Sequence, residues 1–418
     1  MSQPSIKKNF LYKSALTLSS YLMAFVTFPY VSRVLGVERI GLVNFVDNTI
    51  NYFLLFATLG VNILGVREIA TVREDDIKRN KVYSELLGVN ILFTLIVLIV
   101  YILCVEWIPK LNQYKELFYI GISKLIFTAF LVEWLYTGLE QFRYITLRSI
   151  AIKLLYVLTV FLFIRSAEDY KIYFILTIGV VVLNAFINIL YSKKYVDIYW
   201  RDFLSLKYLK QDILLGVSSI MTSMYLTFNV MYLGLVSDNV QVGYYTTAHK
   251  LYMVILGLFS AFTHVMLPRM SVLIADGNKE QFNKMITQSF KLVIIVSIPS
   301  ILISTIFAPE IIQLLSGAGY EGAVLPMRII MFAVLFVGIA QVLVIQVLIP
   351  LKKDRILLLA SILGAIFSII LNLVFVERLQ SVGSALVLVL SELLVTLIHA
   401  SYVFYNRIIE IPYNSFSK

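Results

Sequence analysis

One cysteine, three histidines and a charged fraction of only 14% in 418 residues are the scarcities that first constrain this chain. With Cys104 alone, no intramolecular disulfide can form and no cysteine pair can hold a metal. Its place in an apolar run reads as packing. His249, His264 and His399 are dispersed, and neither a glycine loop ending in Gly-Lys-Ser or Gly-Lys-Thr nor a His-Glu-x-x-His is present. Gly317 and Gly319, in LLSGAGYEG, lack the strand and helix context of a phosphate loop and read as a turn. ATP hydrolysis and metal-dependent catalysis are therefore not expected. A soluble chain carries about a quarter charged residues. With 60% hydrophobic residues and a mean hydropathy of +0.87, this chain has lipid as its solvent.

A helix needs roughly 20 mainly apolar residues to cross the hydrocarbon core. Windows of that length fall at 10–34, 41–66, 82–105, 116–138, 145–165, 170–192, 211–236, 243–267, 286–307, 324–350, 355–376 and 382–406, which predicts about twelve spans. So little chain remains that no soluble domain fits. The first window follows Lys7 and Lys8 as a signal peptide would, but its length, Pro29 and Tyr30 at the cleavage region, and the span that follows predict that it is retained.

Lysine and arginine crowd into every second link. Lys7, Lys8 and Lys13 precede the first span, Arg67, Arg73, Lys78, Arg79 and Lys81 follow the second, and Lys193, Lys194, Arg201, Lys207 and Lys210 fill the longest link. The intervening links hold few, among them Arg39, Lys110, Lys171 and Arg378. The positive-inside bias then predicts cytoplasmic termini and an even number of spans. The net charge of +10 has the same origin, so it reads as contact with the anionic cytoplasmic leaflet and not as a nucleic-acid surface.

Shifting the chain on itself by 202 residues lays Tyr30 on Tyr232, Val34 on Val236, Gly41 on Gly243, Leu54 on Leu256 and Arg67 on Arg269. The first two spans then overlie the seventh and eighth. This predicts an all-α integral membrane protein of two six-helix bundles, 1–195 and 211–418, joined by a cytoplasmic linker at 196–210. Such parallel repeats place a substrate route at their interface and work by alternating access.

Polar residues inside the spans mark where that route would run. Asn44, Asn48, Asn51, Thr58 and Asn62 recur at helical spacing with Asp47 beside them, and Thr246, Lys250, Gly257, Ser260 and His264 form the corresponding stripe, flanked by His249 and Thr263. For the Ser and Thr residues, helix-to-helix hydrogen bonding is the favoured account. Ionisable groups are the sharper signal, since each costs at least about 2.5 kcal/mol near the bilayer centre unless paired or hydrated. Asp47, Lys124, Glu133, Lys153, Lys250, Lys291, Arg328 and Glu392 qualify. Lys153 and Lys291 lie near enough to the cytoplasmic ends to snorkel. Lys124, Lys250 and Arg328 are the expected lumen cations, with Arg33 at the outer mouth. Asp47, Asn44, Asn48, Asn51, His249, His264 and Glu392 are the expected lumen-polar or coupling residues.

The stretch FPYVSRVLGVERIGLVNFVDNTINYFLLFATLGVNILGVREIATVRED (28–75) resembles the first two spans of polysaccharide repeat-unit flippases of the Wzx type, in the MATE-like multidrug/oligosaccharidyl-lipid/polysaccharide exporter superfamily. EWLYTGLEQFRYITLRSI (133–150), through Trp134, Gly138, Glu140, Phe142 and Arg148, is similar to the same family, as more weakly are SDNVQVGYYTTAHKLYMV (237–254) and LPRM (267–270). The resemblance implies a MATE-like fold of twelve spans. It also implies a substrate, an undecaprenyl-diphosphate-linked oligosaccharide moved from the cytoplasmic to the outer leaflet of a bacterial inner membrane for O-antigen or other surface polysaccharide synthesis.

A diphosphate wants cations in a water-filled lumen while a polyprenyl tail stays in lipid, and Lys124, Lys250 and Arg328 meet the first need. No cofactor is expected, and H+ or Na+ is the candidate coupling ion. Expected partners are the lipid-linked glycan, membrane lipids and other polysaccharide assembly proteins such as a polymerase. The alternative is an ion-coupled exporter of small cations or drugs, kept open by Asp47, Glu133 and Glu392. A membrane glycan polymerase or ligase ranks behind both, because its large outer loop is missing.

Overall fold

The computed structural model describes residues 6–203, 205 and 207–409, and every regular element among them is helical. The expected cytoplasmic termini lie outside the described residues. The chain divides into two compact units, Met1–Ser223 and Met224–Lys418.

In the first unit the helices are α1 (Ile6–Thr58), α2 (Val61–Val72), α3 (Asp76–Trp107), α4 (Pro109–Asn112), α5 (Lys115–Thr128), α6 (Glu133–Gly138), α7 (Phe142–Phe163) and α8 (Tyr170–Ser192). Next comes α9 (Leu209–Val236), within which the units divide. The second unit continues with α10 (Asn239–Ala275), α11 (Lys279–Ile306), α12 (Ala308–Ser316), α13 (Val324–Ile330), α14 (Ala333–Gln341), α15 (Asp354–Leu371) and α16 (Glu377–Tyr405). Two π-helical stretches, Val342–Leu348 and Asn372–Val376, extend α14 and α15.

Nine helical segments among the described residues are long and apolar enough to cross a membrane. Two of them, of 48 and 52 residues, greatly exceed one crossing, and each contains a residue with non-helical backbone. In α1 it is Gly36, at φ 76° and ψ 169°, where the missing side chain removes the penalty of a positive φ. In α16 it is Gln380, at φ 53° and ψ −125°. That turn is held by Ser381, whose hydroxyl donates to Gln241 Oε1 at 2.6 Å. Divided at these turns the nine become eleven crossings, and the 28-residue α9 makes the twelfth.

Membrane solvation inverts the usual polarity of a helix. Along α7 the buried face carries Ile145, Arg148, Ser149, Ile152 and Tyr156, while Leu147, Leu154, Leu158 and Leu162 stand exposed. Leucine faces outward because hydrocarbon accepts it, and the guanidinium faces inward because only protein can satisfy it.

The sequence predicts unbroken spans over 41–66 and 116–138; both are interrupted. Between α1 and α2 the chain breaks at Leu59, with φ 37°, and Gly60, against which Gly216 packs so closely that a Cβ there would lie 2.8 Å from Leu59 Cβ. Between α5 and α6 it breaks at 129–132, with Val132 at φ 38°. Backbone groups freed by a break must find partners inside the membrane. The Ala129 carbonyl accepts from Asn90 Nδ2 at 3.2 Å, and the Leu131 carbonyl accepts from Asn188 Nδ2.

The 202-residue shift is visible in these turns. Gly36 corresponds to Asp238, the N-cap of α10, and the break at 129–132 recurs at Met331–Phe332, between α13 and α14. The break at Leu59–Gly60 has no counterpart, since α10 runs on through the matching positions.

The link after α8 folds onto α3. Asp197 N–H donates to Asn80 Oδ1 at 3.1 Å and Tyr199 N–H to Ser84 Oγ at 2.8 Å. This covering explains why residues 82–90 of α3 are all buried, Ser84, Glu85 and Asn90 included. At Gly88 an added Cβ would lie 1.5 Å from the Phe203 carbonyl oxygen, so only glycine fits.

Candidate functional site

Asp47 and Lys124 meet in the first unit. Lys124 Nζ lies 2.6 Å from Asp47 Oδ1, and Asn51 Nδ2 donates to Asp47 Oδ2 at 3.1 Å. Both charges are mostly shielded, with side chains 13% and 30% exposed, so each supplies the counter-charge that low dielectric demands of the other. Lys124 is thus neutralised in this state and presents no free charge to an anion. Other members of the stripe bond along their own helix: Asn48 Nδ2 donates to the Asn44 carbonyl at 2.8 Å and Thr58 Oγ1 to the Leu54 carbonyl at 2.9 Å. Asn44, Asn48 and Asn51 are half-buried, and Asn62 is exposed. Arg33 is exposed and donates to the Pro29 carbonyl at 2.8 Å. Arg39 lies over the Tyr170 ring, 4.5 Å from its centroid, as an interfacial anchor does.

In the second unit the position corresponding to Asp47 is His249. Its ring stands between Tyr245 and Tyr252, with centroids 5.7 and 5.3 Å away. Lys250 is half-buried and His264 exposed. Arg328 sits two positions beyond the counterpart of Lys124, near the end of α13 and just before the break. Here there is no Asp47 to answer it. Among the described residues no carboxylate comes within 4.0 Å of Arg328, and its buried Nε has no hydrogen-bond partner. Glu392, 4% exposed, has the Tyr252 hydroxyl beside it and forms no ion pair among the described residues.

Sequence reasoning missed a connected polar network around Arg148 and Asn188. Arg148, 7% exposed, reaches Glu133 Oε1 at 2.5 Å, Ser149 Oγ at 3.0 Å and Asn188 Oδ1. Asn188, fully buried, also bonds Leu131 and accepts from Tyr136 and Tyr144. The network therefore holds the break between α5 and α6 from three helices. Its sequence trace was the EWLYTGLEQFRYITLRSI motif, which contains Glu133 and Arg148 but not Asn188. Lys153, expected to snorkel, instead donates to the Leu16 carbonyl, Ser19 Oγ and Ser20 Oγ at 2.5–3.3 Å, tying α7 to α1. Among the described residues no group of His, Cys, Asp and Glu could hold a metal ion.

Twelve crossings, internal duplication in the turns, and buried charges either paired or left unanswered define a multi-pass membrane protein of the transporter-like all-α class. Solved structures share this fold. The lipid II flippase MurJ, in an inward closed conformation, superposes with a TM-score of 0.76 at 17% identity, covering 96% of this chain and 88% of that one. An inward-facing multidrug resistance MATE family transporter of the MOP superfamily gives 0.65 at 15% identity, covering 94% and 98%. The chain belongs to the polysaccharide biosynthesis protein family, whose model matches residues 6–274. It is 25% identical to a protein assigned as an O-antigen transporter in Escherichia coli strain K12, over 97% of this chain and 98% of that one. With another so assigned, from Shigella dysenteriae, it shares 27% over 94% and 98%.

Proposed function

We propose that this chain is a flippase that carries an undecaprenyl-diphosphate-linked oligosaccharide from the cytoplasmic to the outer leaflet of a bacterial inner membrane, by alternating access, for surface polysaccharide synthesis. It is not an enzyme in this reading, and a glycan polymerase is the downstream partner. The two relatives of nearly full length and the family match support the substrate class.

The observation that carries the reading is Arg328. A guanidinium held inside a span with no counter-ion costs stability, and a phosphate anion repays it by forking onto two oxygens. Lys250 adds a second cation in the same unit. In the first unit Lys124 becomes available only when Asp47 releases it. H+ or Na+ is assigned to Asp47 for that reason, because protonating or coordinating the carboxylate frees the ammonium.

Glu392 favours the second reading, export of small cations, since a buried carboxylate attracts them. In a strain lacking the chromosomal copy, Arg328→Ala at native expression should reduce surface glycan at least about tenfold while membrane abundance is unchanged. Normal glycan from Arg328→Ala and Lys250→Ala alike would instead favour the small-cation exporter.

A further inference from the structure

We infer that the first unit contains a binding subsite for a single uncharged sugar ring, in the half-open cavity between its two helix breaks. The inference rests on the flippase reading and adds where the glycan is gripped.

The cavity measures about 280 Å³ and is lined from α1 and α2 by Thr58 and Asn62, from α3 by Asn90, and from α6 by Glu133, Trp134 and Thr137. Small-molecule pockets run from roughly 300 Å³ upward. A water occupies about 30 Å³. The space is therefore far too large for one desolvated ion and matches one ring.

Its chemistry rejects the other candidates in turn. A polyprenyl chain or other lipid would leave the Asn62, Asn90, Thr137 and Glu133 groups without hydrogen bonds. A cation finds no net charge, because the Glu133 carboxylate is held by Arg148 at 2.5 Å. An anion finds none either, because the Arg148 guanidinium is already engaged by Glu133, Asn188 and Ser149.

What remains unsatisfied is one acceptor and one donor. Asn90 donates its Nδ2 to the Ala129 carbonyl, which fixes the amide and leaves Oδ1 buried without a partner. Trp134 Nε1–H is also buried without one. A sugar hydroxyl donates and accepts at once, so a neutral polyol answers both. The remaining Glu133 oxygen and the Thr137 hydroxyl, neither bonded among the described residues, add an acceptor and a two-way partner. Trp134 also supplies a flat apolar wall. Its ring is fixed in place, because at Gly65 an added Cβ would come 2.6 Å from it, and Tyr83 packs beside it with centroids 5.7 Å apart.

Trp134 provides the assay as well. Of the three tryptophans, Trp107 and Trp200 are 78% and 76% exposed, whereas Trp134 is 3% exposed. In a Trp107→Phe, Trp200→Phe background, the purified full-length protein in lipid nanodiscs should show a saturable, millimolar change of Trp134 emission. The probe is a panel of free hexoses, 6-deoxyhexoses and N-acetylhexosamines, with a short-chain prenyl diphosphate as the negative control. Thr137→Val and Asn62→Leu, which remove no hydrogen bond from the fold, should each weaken the response at least about fivefold with an unchanged melting temperature.

Absence of a saturable response to every sugar in the panel overturns the subsite, as does full binding by both variants. Either result leaves the flippase reading standing if Arg328→Ala still lowers surface glycan at least about tenfold. A sugar response in a protein whose deletion leaves surface glycan normal keeps the subsite and removes that reading.

Discussion

Lys124 and Asp47, 77 residues apart in sequence, hold one another at 2.6 Å between α5 and α1. Removing one partner of a fully buried pair costs about 3–5 kcal/mol. With 30% of the Asp47 side chain exposed, about 2 kcal/mol is the expected cost here. Asp47→Asn and Lys124→Met should each lower the melting temperature in detergent, and the double variant should recover most of the loss. Two harmless single variants would mean that the pair is not closed in solution. The same Asp47→Asn protein tests coupling: ion-gradient-dependent transport that survives in vesicles removes Asp47 from that role.

Asn188→Leu is the severest substitution expected in the first unit. It strands a buried Arg148 N–H and the Leu131 carbonyl without their partner, at about 1–3 kcal/mol for each. Loss of most folded protein from the membrane, read by fluorescence size-exclusion, is the expected result. A monodisperse peak at normal yield would show that the α5–α6 break does not depend on the network.

Gly88→Ala should detach the link that follows α8. Overpacking costs typically 1–3 kcal/mol, and here the obstacle is the Phe203 backbone, which cannot rotate aside. Trypsin should then cut faster after Lys193, Lys194 and Arg201. Gly179→Ala, where an added Cβ meets nothing within 4 Å, is the matched control and should leave cleavage unchanged.

Orientation is testable with single cysteines in a Cys104→Ala background. Replacements at Asp238 and Glu310 should react with an impermeant maleimide in cells with a permeabilised outer membrane. Those at Asp76 and Asp354 should react only after the inner membrane is opened. The reverse pattern would invert the proposed direction of transport.

The long apolar windows were legible because hydropathy alone decides which segments leave water. The break at 129–132 was not. Nothing in Ala-Phe-Leu-Val marks a stop, and Val132 carries a positive φ that its branched side chain disfavours. Asn188, 56 residues further on, holds that conformation, so the signal is tertiary. Asp47, Lys124, Glu133 and Arg148 were visible as charges in or near spans. Which charge answered which depended on helix neighbours that a single sequence does not encode.

Arg328, with no carboxylate within 4.0 Å among the described residues, would also make the protein sensitive to voltage. A fixed charge in the membrane field carries about 2.3 kcal/mol per 100 mV when moved fully across it. If the flippase reading holds, an empty carrier has a positive gating charge in its second unit, and a diphosphate docked there would reverse the sign. The field would then push the loaded and empty forms in opposite senses, which would give the proposed cycle a direction even where no ion is co-transported.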